Sequence, residues 1–332
     1  MPPSPLPFAR RPSAASWPLP PGWRTRFAPA PTGSLHLGHA ANAVFVWGLA
    51  AAFGGRVVLR IEDHDRVRSR PELEAALLDD LEWLGFVPDE GKIGDLRRGP
   101  SSFRQSDGGA RYAAALARLA GQGLVYACRC SRRTLAAKVG EAAPGDELCY
   151  PGTCREARVD PAATPLRRVR LPGDAVTFDD LRLGPRTQVP ARQCGDLVVV
   201  DRQGHWTYQF AVVVDDMGWP AVPGEGGSPD AGAVPEIDVV IRGEDLVEST
   251  GRQILLARLL GRPVPPRFYH HPLLLRPDGA KLSKSNRDTG IRDLRAAGWS
   301  AERVLGEAAR RAGLGVSTET LPANAVAELF AR

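Results

Sequence analysis

The chain has 332 residues, 43% of them hydrophobic, a length and balance suited to two or three packed units of a globular protein. Its 43 lysines and arginines against 38 acids leave a net charge of +5, which permits a polyanionic partner without requiring one. No apolar run is long enough to span a bilayer, so a membrane-spanning helical protein is excluded.

The first 22 residues are rich in Pro, Ser and Arg, do not read as a secretory signal, and are expected to form a disordered tail in a cytoplasmic protein. Arg26 to His39 then reads R-F-A-P-A-P-T-G-S-L-H-L-G-H. A short apolar run ends in a proline-rich turn, and a helical pattern begins near His36. This is a strand feeding a helix N-terminus, where outward amides favour an anion. Gly38 lets a flat group approach the backbone, and His36 and His39 share one face of the first turn. Residues 40–52 form an alanine-rich helix closed by Gly54-Gly55, and residues 56–61 a buried strand. Strand–helix–strand opens a doubly wound α/β nucleotide-binding fold. Glu62, Asp63 and Asp65 fall at the strand's C-terminal end, the edge where such sheets bind ligands.

Phe103 opens an amphipathic helix that runs to Leu119. Four of the five cysteines, Cys128, Cys130, Cys149 and Cys154, follow it closely. Without a secretion signal a tetrahedral zinc site is the better reading than disulfides, and spacing alone chooses all four thiols. Residues 155–190, rich in Arg and Pro, read as the rest of an insertion. The sheet is expected to resume at 196–200, and W-T-Y-Q-F-A-V-V-V-D-D at 206–216 reads as another buried strand with a polar exit. Residues 220–235 form a Gly- and Pro-rich surface loop. The next strand, 238–241, delivers Arg242 to the same edge as Glu62. Finally Lys281-Leu-Ser-Lys284-Ser follows the turn Pro277-Asp278-Gly279. The chain has only four lysines, and two stand here, compact point charges suited to a reacting triphosphate.

H-L-G-H and K-L-S-K-S, in this order and far apart, resemble the two signatures of class I aminoacyl-tRNA synthetases. The resemblance implies an α/β, Rossmann-type catalytic domain split by a zinc-binding insertion and followed by a small helical C-terminal tail. It divides the chain into a tail (1–22), a first catalytic half (23–106), the insertion (107–194), a second half (195–286) and the helical tail (287–332). R-F-A-P-A-P-T-G and R-I-E-D-H-D are similar to glutamyl-enzyme motifs, with Ala30 standing where Ser is usual. The implied glutamate site is Arg26, Phe27, Ala28, Pro29, Ala30, Glu62, Tyr208 and Arg242, with Glu62 on the amino group and Arg242 on a carboxylate. A guanidinium at Arg26 pairs with a side-chain carboxylate and favours glutamate over its amide. His36, Gly38, His39 and Lys284 are implied for ATP, which brings Mg²⁺, and His36, His39, Lys281 and Lys284 for catalysis.

Three features resemble the short glutamyl-queuosine tRNA(Asp) synthetases in particular. These are Cys-x-Cys followed by Tyr-x-x-x-Cys, the pair Tyr208-Gln209, and D-L-V-E-S-T-G-R-Q over 245–253. The first implies that Tyr150 joins Cys128, Cys130 and Cys154 on zinc, with Cys149 its rival. Members of that branch activate glutamate with ATP and join it to queuosine at the wobble position of tRNA(Asp), the insertion contacting the tRNA. The residues after Ser285 leave no room for the anticodon-binding region of full-length glutamyl-tRNA synthetases. Two rival readings are a glutamyl-tRNA synthetase lacking that region and a non-catalytic tRNA-binding paralogue, and the paired histidines and lysines count against the second. A monomer is expected.

Overall fold

The computed structural model describes residues 17–140, 148–220, 233–275, 289–316 and 318–331. Strand β1 (Arg24–Phe27) leads through helix α1 (Leu37–Ala52) to β2 (Arg56–Leu59), which runs parallel to β1. α1 is buried over most of its surface, because its alanines and Gly48 let neighbours come close. A Cβ added at Gly48 would lie 2.2 Å from the Phe330 ring. Gly54, with φ +71°, turns the chain out of the helix. Of the expected disordered tail, residues 1–16 lie outside the described residues, and Trp17 and Leu19 pack on this unit instead. Trp17 stacks on Phe53 with ring centroids 4.6 Å apart, an aromatic burial that composition averages hide.

Helices α2 (Pro71–Trp83) and α3 (Ile93–Arg98) come next, then α4 (Gly109–Gly121). α4 starts later than the pattern from Phe103 suggests, since Gln105–Asp107 forms a separate 3-10 turn. β3 (Val125–Ala127), α5 (Arg132–Val139) and β4 (Arg167–Val169) follow. After them come β5 (Val176–Asp180), β6 (Gly184–Gln188), α6 (Pro190–Gln193) and β7 (Leu197–Val200). Sequence suggests that β7 rejoins the parallel sheet. It pairs antiparallel with β4 instead, in a three-stranded sheet ordered β3-β4-β7. The buried Asp196 holds it there, taking the Leu171 N–H at 3.0 Å and the Arg155 Nε–H at 2.7 Å.

The run 206–216 is a helix rather than a strand, α7 (Tyr208–Asp216), buried from Phe210 onward. A continuous apolar run carries no period that separates a buried helix from a buried strand, and the β-branched valines tip propensity toward the wrong choice. β8 (Val239–Gly243), α8 (Thr250–Leu259) and β9 (Arg267–His271) complete a four-stranded sheet ordered β6-β5-β9-β8. β8 and β9 are parallel, and the end of β5 pairs parallel with β9 at Asp180 and Phe268. β8 lies alongside β1, where Asp238 N–H donates to the Arg24 carbonyl at 2.9 Å. Beyond residue 288, α9 (Ile291–Ala296), α10 (Ala301–Arg311) and a 3-10 helix (Ala323–Leu329) fold back against α1. No helix among the described residues is long and apolar enough to cross a membrane. The Gly- and Pro-rich stretch at 221–232 and the lysine loop lie outside the described residues.

Candidate active site

A cleft of about 650 Å³ opens between the ends of β1, β8 and the N-terminus of α1. Eleven residues of the implied glutamate and ATP sites line it. Arg26, Phe27, Ala28, Pro29 and Ala30 come from the strand end, His36, Gly38 and His39 from the helix start, and Glu62, Tyr208 and Arg242 from farther along the chain. Lys281 and Lys284 lie outside the described residues. His36 is the N-cap of α1, and its Nδ1 accepts the Gly38 N–H at 3.1 Å. His39 Nδ1 accepts the His36 N–H, also at 3.1 Å. In the neutral rings these bonds put the proton of each on Nε2. Gly38 is required first by the protein itself, since a Cβ there would stand 2.9 Å from the His36 ring.

Beneath the cleft lies a network of buried charges. Arg60 donates from Nη1 to Asp216 at 2.6 Å and from Nη2 to Glu62 at 2.9 Å. Arg26 Nε reaches the Asp216 carboxylate at 3.4 Å. Burial pushes the Asp216 carboxyl upward, but Arg60 and then Arg26 outweigh it and hold the group below its ordinary range. Asp215, fully buried, accepts from Arg111 Nε and Gln105 Nε2 at 2.8 Å and from the Tyr112 hydroxyl at 3.0 Å. The Gln105 carbonyl oxygen in turn takes the His64 Nδ1–H at 2.7 Å, so the network runs out to a residue on the cleft wall. Sequence reading missed Arg60, Gln105, Asp215 and Asp216 as parts of the site. The signal was an arginine inside an otherwise apolar strand and two acids closing an apolar run.

Arg242 is 4% exposed and held on three sides. It donates to His270 Nε2 at 3.0 Å, to the Gln253 side-chain oxygen at 2.7 Å and to the Thr250 hydroxyl at 2.9 Å. Burial pulls its guanidinium below the ordinary value, with Tyr208 and Asp216 acting the other way. Gln253 donates to Gln209 at 2.8 Å. The Tyr-Gln and S-T-x-R-Q features, set apart in sequence, therefore meet behind one guanidinium.

A second cluster lies under β3. The thiol sulfurs of Cys128, Cys130 and Cys154 are buried and within 4.8 Å of one another. The Tyr150 hydroxyl lies 3.6 Å from Cys128 Sγ and accepts the Cys154 N–H at 2.7 Å. Thiolates about 2.3 Å from one zinc would sit just under 4 Å apart, so the donor set fits a tetrahedral ion. Cys149 turns away, its thiol 3.4 Å from the Arg192 carbonyl.

Residues 23–218 match the family model of class I tRNA synthetases (E and Q), catalytic domain. The chain is 44% identical over 299 residues to a glutamyl-Q tRNA(Asp) synthetase of Symbiobacterium thermophilum, covering 87% of this chain and 86% of that one. It is 38% identical over 317 residues to a glutamate–tRNA ligase 2 of Acidithiobacillus ferrooxidans, covering 93% of this chain and 62% of the relative. A crystal structure of a glutamate tRNA ligase from Elizabethkingia meningosepticum, in complex with its amino acid, is similar with a TM-score of 0.70 at 26% identity. That likeness covers 93% of this chain and 64% of the other. On a catalytic-domain match that includes the histidine turn, and on relatives aligned over most of both lengths, the chain belongs to the glutamyl-Q tRNA(Asp) synthetase family of class I synthetases.

Proposed function

We propose that this chain activates glutamate with ATP and transfers the glutamyl group to queuosine at the wobble position of tRNA(Asp). The observation that carries the reading is the assembly of Arg26, Glu62 and Arg242 in one cleft beside the N-terminus of α1. Two guanidiniums and a carboxylate complement the two carboxylates and the ammonium of glutamate, whereas glutamine would offer one guanidinium a neutral amide in place of a charged partner. The helix start, with His36 and His39, suits the phosphates of ATP.

Activation is attack of a glutamate α-carboxylate oxygen on the α-phosphorus, with the bond to pyrophosphate breaking in line. The protein's part is orientation and charge stabilisation, to which Lys281 and Lys284 would add their ammonium groups. Magnesium enters with ATP as part of the substrate. In the second step a hydroxyl of the modified nucleotide attacks the activated carbonyl and AMP leaves. The names of the relatives, rather than cleft geometry, support queuosine as the acceptor. Zinc would be held by Cys128, Cys130 and Cys154 with Tyr150 fourth, cross-linking the insertion and taking no part in the reaction. The proposal places the enzyme in the cytoplasm, as a monomer.

The test compares tRNA(Asp) from cells able and unable to make queuosine, using labelled glutamate. Label on the first alone is expected. Equal labelling of both, or labelling of tRNA(Glu) at its 3′ end, would refute queuosine as the acceptor and favour a glutamyl-tRNA synthetase.

A further inference from the structure

The Arg242 guanidinium is held at all three nitrogens, and two of these, Nε and Nη1, are gripped by side chains from different parts of the fold. On one edge its Nε–H donates to His270 Nε2 at 3.0 Å. A ring nitrogen that accepts carries no proton, so the imidazole is neutral and protonated on Nδ1. That nitrogen meets Asp180 Oδ2 at 2.6 Å, and the His270 and Asp180 side chains are both 0% exposed. Asp180 is fixed in turn by the Arg182 and Leu183 N–H groups, at 3.0 and 2.8 Å, where β5 turns into β6. On the other edge Nη1 donates to the Gln253 oxygen at 2.7 Å, Gln253 donates to Gln209 at 2.8 Å, and Gln209 donates to the Ser249 hydroxyl at 2.9 Å. Each amide accepts on its oxygen and donates from its nitrogen, so the chain has one direction and neither amide is free to flip.

We propose that His270, oriented by Asp180, and Gln253, oriented by Gln209, are positioning residues that hold the Arg242 guanidinium for a carboxylate of the amino-acid substrate. The proposal rests on the reading of Arg242 as a glutamate contact. Nη2 is tied to the Thr250 hydroxyl at 2.9 Å and the Leu246 carbonyl at 3.2 Å, and the bonds at Nε and Nη1 fix the plane of the guanidinium about that anchor, which Nη2 alone would not. At 4% exposure no bulk water stands ready to replace a lost partner, so the geometry depends on these side chains. The placement also accounts for the β5–β6 hairpin docking on the sheet beside β9, because Asp180 must reach His270 from the neighbouring strand. A guanidinium held in advance loses little freedom when the carboxylate arrives.

Glutamate-dependent exchange of labelled pyrophosphate into ATP, with no nucleic acid present, tests this. His270→Leu should raise the KM for glutamate by about tenfold to a hundredfold, the range for a lost hydrogen bond to a charged group, while the KM for ATP stays within about twofold. His270→Gln, whose amide oxygen can occupy the place of Nε2, should recover most of the loss. Gln209→Met, a change outside the main core, should raise the glutamate KM by a smaller factor, about threefold to tenfold. An unchanged glutamate KM in His270→Leu, an equal rise in both KM values, or a Gln variant no better than Leu would overturn the proposal. If the Leu variant does not fold, Gln209→Met decides, and an unchanged KM there is equally fatal. Absence of glutamate-dependent exchange in the unaltered chain would remove the glutamate reading and this proposal with it.

Discussion

Replacing Asp216 by asparagine keeps the shape of the side chain and removes one charge from beneath the cleft. The carboxylate is 7% exposed and faces Arg60 at 2.6 Å and Arg26 at 3.4 Å, themselves 2% and 5% exposed. Removing one partner of a buried ion pair costs about 3–5 kcal/mol, because the remaining charge is left without compensation. Arg60 keeps Glu62 at 2.9 Å and Asp215 at 3.7 Å, so the lower end, about 3 kcal/mol, applies. Urea unfolding at pH 7 measures that loss. The carboxyl is held below its ordinary value of 3.8, so its stabilisation is complete above that pH and fades as pH falls through the lower folded value. The gap between the two proteins should therefore narrow below pH 4. Arg26 also loses its ion-pair anchor, and the KM for glutamate should rise by about tenfold. A destabilisation under about 1 kcal/mol at pH 7, or a gap that stays constant as the pH is lowered, would refute the reasoning.

Three further substitutions test other parts of the molecule. Cys154→Ser should lose the metal and Cys149→Ser should keep about one zinc per chain by elemental analysis, and the reverse result would put Cys149 in the site. Asp80, 1% exposed, is raised by burial to about 6 even though Arg292 acts against the shift. Its charged form therefore works against folding, and the stability present below the ordinary value of 3.8 is lost as pH rises through about 6. Asp80→Asn should gain stability relative to the unaltered chain between pH 4 and pH 8, by at most about 3 kcal/mol, less what Arg292 loses. Urea melts at the two pH values check this, and a constant difference would count against it.

Much of the candidate site's assembly in one cleft was legible in the chain because it is written in local chemistry. The proline turn, Gly38 and the paired histidines announce a helix start that presents amides, and Glu62 and Arg242 follow apolar runs whose length marks strand ends. Cys-x-Cys and the later Cys154 carry their own spacing, and Tyr150 needed only the family resemblance to be noticed. What stayed hidden was every decision that depends on a distant partner. Residues 206–216 are apolar throughout, so only their packing against the surrounding elements made them a helix. That helix brings Asp215 and Asp216 under Arg60 and Arg26. Leu197–Val200 alternates no more clearly for one sheet than for the other, and the buried Asp196 settled which strand it joined. Asp180, His270 and Arg242 stand on three strands whose order no local pattern states. Short-range spacing encodes turns, periods and caps, but a buried charge is compensated by whichever group long-range packing delivers to it, and that is decided only when the chain closes on itself.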